Sequence, residues 1–486
     1  MRIKLLTGAA LALVLASPAF ASSSNVTQTG TDQEATVDQT LGNAGDSEIT
    51  QSVAGNTATV DQSDNAGAGA AIGLNVSLIT QAGNNNDADV DQFNTGTASA
   101  AENTSTVTQQ GDDALAAIYQ EGSGNDSNVT QQAGGSESAS VKQSGSDNIA
   151  TVVQNVVGGT VLVDQGFSSA VGSESSEATV TQSGVDETAT VYQAGNAQIV
   201  TITQEGADNE ATTDQSGDDN SATVFQSGND SDITIVQIGD IIGNAISVDQ
   251  TGDNSSFDSL QDGSGNTIGG GTAFLQSADD SFADLNQNGG DNEITGSQAG
   301  SANDLDVAQI GDLNVASVTQ SGEDNVMNLT QDVAENNAAL VQSGDRNDLD
   351  VAQIGDLNVA SVTQSGEDNA MNLTQTLASN DATLFQSGDQ NDLFLTQNGT
   401  ANIAGITQSG LDNLIEVDQL GTGNEVDINQ SGNAGLIDVL QSGLDTFAQI
   451  TQTGGAGNQA LVTQNSDFAV SIISQNGIGN IATINQ

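Results

Sequence analysis

Apolar and polar residues alternate along this chain in short bursts, each closed by a glutamine. In the stretch from Gln215 to Gln226, the residues Asn220, Ala222, Val224 and Gln226 fall at i, i+2, i+4 and i+6, while Ser221, Thr223 and Phe225 point the other way. A period of two predicts a strand. The Ser-Gly-Asp-Asp segment before it predicts a turn, in which glycine supplies an unusual φ and Asp or Asn satisfies turn backbone. A helix is excluded, because one glycine and several Asx or Ser in each burst would break it repeatedly.

The burst recurs from Gln28 to Gln486, with 11 residues between successive glutamines in most of the chain and without interruption from Gln276 to Gln452. One strand and turn cannot bury an apolar face alone, but two facing each other can, which predicts a coil of about 22 residues. Residues 304–331 return as 348–375, with Val326 replaced by Ala370, an offset of two such coils. The fold class expected is all-β: a single long β-solenoid of about 20 coils, roughly 95 Å long at ~4.8 Å per coil. Ala, Val, Ile and Leu would form its dry interior. Inward amides would stack as ladders and satisfy one another, since a buried unpaired amide costs about 1–3 kcal/mol. The ladder positions chosen are Gln204, Asn209, Gln215, Asn220, Gln226, Gln309, Asn314, Gln320, Asn325, Gln331, Gln353, Asn358, Gln364, Gln475, Asn480 and Gln486. Extra residues near 63–80, 93–108, 166–181, 238–249 and 262–275 read as loops bulging from turns.

Composition narrows the picture. With 56 Gly, one Pro, no Cys, Trp or His and 3% aromatics, the chain lacks the large side chains of a conventional core. Its charge of −60 comes from 64 acids against four cations, of which only Lys142 and Arg346 lie beyond the N-terminal segment. Such a chain has nothing to set against phosphates and is repelled by anionic membranes, so no nucleic acid and no membrane insertion are expected. Cations, Ca²⁺ among them, are its natural small partners. Asp38, Asp61, Asp91, Asp164, Asp214, Asp249 and Asp418 share the outward position before the ladder glutamine. Where they stack at ~4.8 Å, each pair repels by about 0.9 kcal/mol in water-like dielectric, a brake on assembly that salt or divalent cations would relieve.

The first 21 residues read as a signal peptide: a short basic segment, an apolar run from Leu5 to Ala16, and Ala19-Phe20-Ala21 as cleavage site. A secreted, cell-surface protein is therefore expected. An enzyme is not, because carbohydrate-active β-helices need Lys, Arg or His beside their carboxylates. No catalytic, cofactor-binding or metal residues are assigned, and no cofactor is expected. A calcium β-roll needs a nine-residue glycine-rich period that is missing. An ice-binding solenoid needs regular threonine ladders. Thr57-Ala58-Thr59 and Thr201-Ile202-Thr203 hint at one, but in sequence the threonines do not recur coil after coil.

The grammar Gln-x-Gly-x-x-Asn-x-Ala-x-x-x-Gln resembles the curlin repeat of curli fibre subunits. The units starting at Gln81, Gln143, Gln204, Gln215, Gln309, Gln353, Gln397 and Gln475 match it at every specified position. The similarity covers about residues 25–486. It implies a strand-turn-strand solenoid exported through an outer-membrane pore, polymerisation with itself from a nucleator subunit, and a role in adhesion and biofilm matrix. Neither end of the repeat array reads as a polar cap, so end-to-end growth is expected of it. The alternative is a surface adhesin that does not polymerise.

Overall fold

The computed structural model describes residues 22–40, 45–64, 75–95, 102–132, 135–155, 157–166, 173–239 and 243–486. The expected signal peptide lies outside them, as do residues 65–74, 96–101, 167–172 and 240–242, where most of the expected loop insertions fall. Among the described residues the regular structure is all strand, and no helix is long and apolar enough to cross a membrane.

The chain divides into two compact units, residues 1–244 and 245–486. Each is a parallel β-solenoid. The chain passes alternately through two sheets, so each strand pairs with the strands one turn before and after it in its own sheet. In the first unit, sheet I begins with Ser23–Thr31 paired to Asp46–Ala54, and sheet II with Glu34–Thr40 paired to Thr57–Asp64. In the second unit, sheet I begins with Ala245–Gln250 and sheet II with Ser256–Ser264. Among the described residues the first unit completes nine turns and the second eleven. Register is kept by identity: Gln309 pairs with Gln331 and Gln331 with Gln353, and the copies 304–331 and 348–375 lie two turns apart in one stack.

The pattern of alternation decides which side is buried. From Val315 to Gln320 the inward residues Ala316, Val318 and Gln320 are buried, and Val315, Ser317 and Thr319 are exposed. The core is thin and made mostly of Ala, Val, Ile and Leu. Where aromatic side chains enter it, small residues make room. Phe257 and Phe274 meet across the core of the second unit with ring centroids 5.7 Å apart. Ser259 shares the inward face of Phe257's own strand. Gly296 follows Phe274 in the next turn, because Leu275 pairs with Ser297.

The turns explain the recurring grammar of glycine and Asx. Gly322, Gly344, Gly366 and Gly388 stack in one column with φ between 95° and 112°. A Cβ on Gly322 would collide with the carbonyl of Gly344, and one on Gly344 with that of Gly366. Glycine fits that approach and that φ without strain, and in the matching column of sheet II Val333 (φ 84°) and Leu377 (φ 68°) take its place between Gly311, Gly355 and Gly399. The residue before the Asn is left-handed too, as at Asp324 (φ 54°) and Asp368 (φ 53°), where a short polar side chain tolerates the conformation.

Two readings from sequence change here. The insertion at 262–275 does not bulge from a turn. Ile246 pairs with Ile268 and Val248 with Phe274, so the extra residues 269–273 sit opposite Ser247, inside a strand. A tight reversal, Thr272 N–H donating to Gly269 O at 3.0 Å, returns the chain to register without disturbing the glutamine. Threonine is also kept from turn to turn on sheet I of the first unit. Thr80, Thr108 and Thr130 stack in register, and Thr179 and Thr181 stack on Thr201 and Thr203. Unequal spacings in sequence had hidden this alignment. It is interrupted by Asn128, Val153 and Phe225.

Candidate functional site: the stacked side-chain amides

Each ladder glutamine closes the alternating stretch of its strand with its amide inside the core and does two jobs there. Gln331 is fully buried. Its Nε2 donates to Gln353 Oε1 in the next turn at 2.8 Å, and its Oε1 accepts from Gln309 Nε2 in the preceding turn at 2.8 Å. The second Nε2 hydrogen goes to Val315 O at 3.1 Å, at the start of the facing strand. The glutamine therefore joins turn to turn along the stack and sheet to sheet across the core. Gln320 does the same toward Gln342 (3.0 Å) and Asp304 O (3.0 Å), and Gln364 toward Gln386 (2.9 Å) and Asp348 O (3.0 Å). In the first unit, Gln204 donates to Gln226 at 2.9 Å and Gln215 to Gln237 at 2.7 Å. Along every such column Nε2 donates toward the C-terminal neighbour, so the amide dipoles align and polarise one another.

The asparagines belong to the turns, which sequence reasoning did not foresee. Asn336 N and Nδ2 both donate to Asn314 Oδ1 at 3.1 Å, and Asn358 N donates to Asn336 Oδ1 at 3.0 Å. Asn314 Nδ2 reaches Val333 O in the next turn at 3.0 Å, and Asn325 Nδ2 reaches Gly344 O. The asparagine thus holds the carbonyl that crowds the glycine of its own turn, Val333 O against Gly311 and Gly344 O against Gly322.

The chosen positions are not all alike. Asn209 and Asn220 are buried and hold turn carbonyls, Gly228 O at 2.7 Å and Ser216 O at 2.8 Å, but no asparagine stands on both sides of either. Asn209 lies between Glu187 and Ser231, and Asn220 between Gln198 and Asn244. Gln475 accepts from Gln452 at 2.8 Å. Asn480 and Gln486 differ: both are exposed, in a turn with a neighbour on one side. Gln486 continues the backbone ladder, its N–H donating to Thr463 O at 2.9 Å, but its Nε2 turns to Val470 O while Gln464 Nε2 turns to Ser471 Oγ.

Sequence reasoning also missed two acids in the asparagine column. Glu137 and Glu187 are fully buried, and the Oε2 of each lacks a hydrogen-bond partner. Burial pushes the Glu187 carboxyl up to about 7; the Asn209 amide, 3.4 Å from Oε1, opposes this and Asp208 adds to it. Burial likewise raises Glu137, against hydrogen bonding from backbone that includes Gly135 N at 3.3 Å. The signal was there, a Glu at the Asn position of the repeat.

The outward acids form a brake of limited extent. Of the seven aspartates before ladder glutamines, Asp38, Asp61 and Asp91 stack directly. Burial, then Asp89, then Asp61 raise Asp91 to about 6. Asp164 is itself buried, between Lys142 and Tyr192, and Asp418 lies between Thr396 and Leu440. A longer column runs along one edge of the second unit, Glu323, Asp345, Glu367 and Asp389, where Arg346 Nε reaches Asp368 Oδ1 at 2.7 Å and Nη2 reaches Glu367 at 3.3 Å. Among the described residues no three acids converge as a metal site requires.

Two outcomes follow. Gln331→Leu keeps the volume but strands Gln309 Nε2 and Gln353 Oε1, and should cost about 2–4 kcal/mol of stability in denaturant titration; a neutral substitution would show that the amides are not coupled. Glu187 holds its proton more tightly folded than unfolded (ordinary pKa ~4.3), so its contribution is full below that value and is lost as pH rises through about 7. The melting temperature should fall from pH 5 to pH 8, and fall less in Glu187→Gln, since Gln198 already occupies an equivalent buried position. Equal pH slopes would refute the assignment.

No curated protein matches the chain in sequence. The curlin associated repeat matches it at residues 100–132, 174–206, 206–239, 278–311, 300–332, 344–376 and 388–421. With these seven matches lying on strand-turn units stacked in register, the chain belongs to the curlin-repeat family.

Proposed function

We propose that this protein is the structural subunit of an extracellular, curli-like amyloid fibre that grows as turns of one copy stack on turns of another. The repeat family and the solenoid fold fit a structural protein of the curli kind. One observation carries the step to polymerisation. Residues 304–331 and 348–375 are nearly identical and occupy the same register two turns apart, each turn completing the amide and backbone pairing of its neighbour. A turn is thus a template for another turn of the same sequence. Nothing in that pairing distinguishes a neighbour in the same chain from one in a second copy, and cross-β stacking uses the same bonds. Secretion, a nucleating subunit, an outer-membrane pore, and service in adhesion and biofilm matrix complete the reading. Cations act in it as screening partners for stacked carboxylates, Asp38–Asp61–Asp91 and the Glu323–Asp389 column first among them.

Residues 22–486, purified and diluted from denaturant, should form dye-binding fibres after a lag that preformed seeds shorten. The lag should also shorten as sodium chloride rises from about 10 mM to 500 mM, because the Debye length falls from ~30 Å toward a few Å. Discrete particles that neither grow nor seed at any salt concentration would overturn polymerisation and favour the surface adhesin.

A further inference from the structure

The two outward faces of the second unit have different chemistry. Over the turns from Val315 to Thr407, sheet I presents Val315, Ser317 and Thr319, then Asn337, Ala339 and Val341, then Val359, Ser361 and Thr363, and two further rows ending in Phe385 and Thr407. Asp381 is the one acid among those outward positions. Sheet II, over the strands that alternate with these, presents Asp304, Asp306, Asp348, Asp350 and Asp392. Burial and then the neighbouring Asp304 and Asp348 raise the carboxyls of Asp306 and Asp350, as expected of a crowded acidic face.

The neutral face is also the apolar one. Val315, Val341, Val359, Phe385 and Ile403, one per turn, are 36% to 50% exposed. They alternate in position. Val315, Val359 and Ile403 stand at the start of their strands, and Val341 and Phe385 stand just before the ladder glutamine in the strands between. Each protruding side chain therefore has small residues beside it in its own row, Ser317 and Thr319 by Val315, Ala339 by Val341. Such a checkerboard is self-complementary: a second face shifted by one turn places its protrusions in the gaps of the first, the packing of paired sheets ~10 Å apart.

We propose that sheet I of the second unit is a lateral docking face for another copy of this chain, pairing fibres side by side with their acidic faces outward. Charge selects the occupant. In a chain of net charge −60 every copy repels every other, and this face meets its like with one acid, Asp381, among its outward positions and the acids of Glu323 to Asp389 kept to its edge. Area sets how it is used. Five turns at ~4.8 Å by six residues at ~3.3 Å give roughly 500 Å² per copy, short of the ~800 Å² per partner of a standard interface. One contact is weak, but a fibre repeats it on every subunit and gains by multivalency. The proposal rests on growth along the stack.

Its test adds the same charge to either face of the same turns. Thr319 and Thr363 lie on sheet I, and Thr330 and Thr374 occupy the equivalent positions on sheet II with matching exposure. Mass per length of fibres, by scanning transmission electron microscopy, should be that of two solenoids side by side for the wild type and for Thr330→Asp/Thr374→Asp. It should halve for Thr319→Asp/Thr363→Asp, with dye binding and seeding kept. Single-solenoid fibres from the wild type, or two variants that behave alike, would overturn the docking face and leave polymerisation standing. If no protein forms fibres, polymerisation falls instead, and sedimentation of the same samples reads the face directly. A concentration-dependent dimer lost only in the sheet I variant supports the face, and monomers throughout overturn it.

Discussion

A carboxamide buried in a thin apolar core must find partners for two hydrogens and an oxygen, and here identical amides one turn apart meet the oxygen and one hydrogen while a carbonyl of the facing strand meets the other. That requirement fixes the rest. It demands that glutamine recur at one register, so each turn must return the chain to the same position. It demands that neighbouring backbones approach closely at the turn, which favours glycine in the column that Asn325 and Asn347 hold, as at Gly344 and Gly366. It also ties the two sheets together, since the second hydrogen of Gln331 crosses to Val315 O. An apolar substitute at this position supplies burial but no register, and without register a one-residue slip would turn the core face outward.

The stack was legible in the sequence because the ruler and the alternation agree over hundreds of residues. The coil length, the in-register pairing and the inward row Asn220, Ala222, Val224 and Gln226 all follow from spacing alone. What could not be read depends on which unit lies over which. Asp164 looked like one more solvated acid until Lys142 and Tyr192 were seen on either side of it. The threonine columns crossed intervals of unequal length. The insertion at 269–273 was taken for a turn loop because most breaks in a repeat fall at turns. Glu187 was visible as a deviation, but its burial depends on the neighbours above and below it in the column.

The charge that dominates the composition is distributed rather than spread evenly. Acids gather on sheet II and along the edge that carries Glu323 to Asp389, while the outward face of sheet I in the second unit is close to neutral between Val315 and Thr407. A core made of ladders needs no charge and a solvated face tolerates much of it. The sequence therefore varies freely outside while the inward grammar repeats, and a solenoid of this kind can tune its surface charge without altering the stack.

The central claim concerns the side-chain amides themselves, and their hydrogen exchange tests it most directly. In assembled protein labelled with ¹⁵N at glutamine, solid-state NMR after transfer to D₂O should find the Nε2 hydrogens of most glutamines protected for as long as the strand backbone, with exposed Gln390 and Gln459 exchanging at once. Glutamine side chains that exchange at solvent rates beneath a protected backbone would show strands stacked without amide ladders, and would contradict the account.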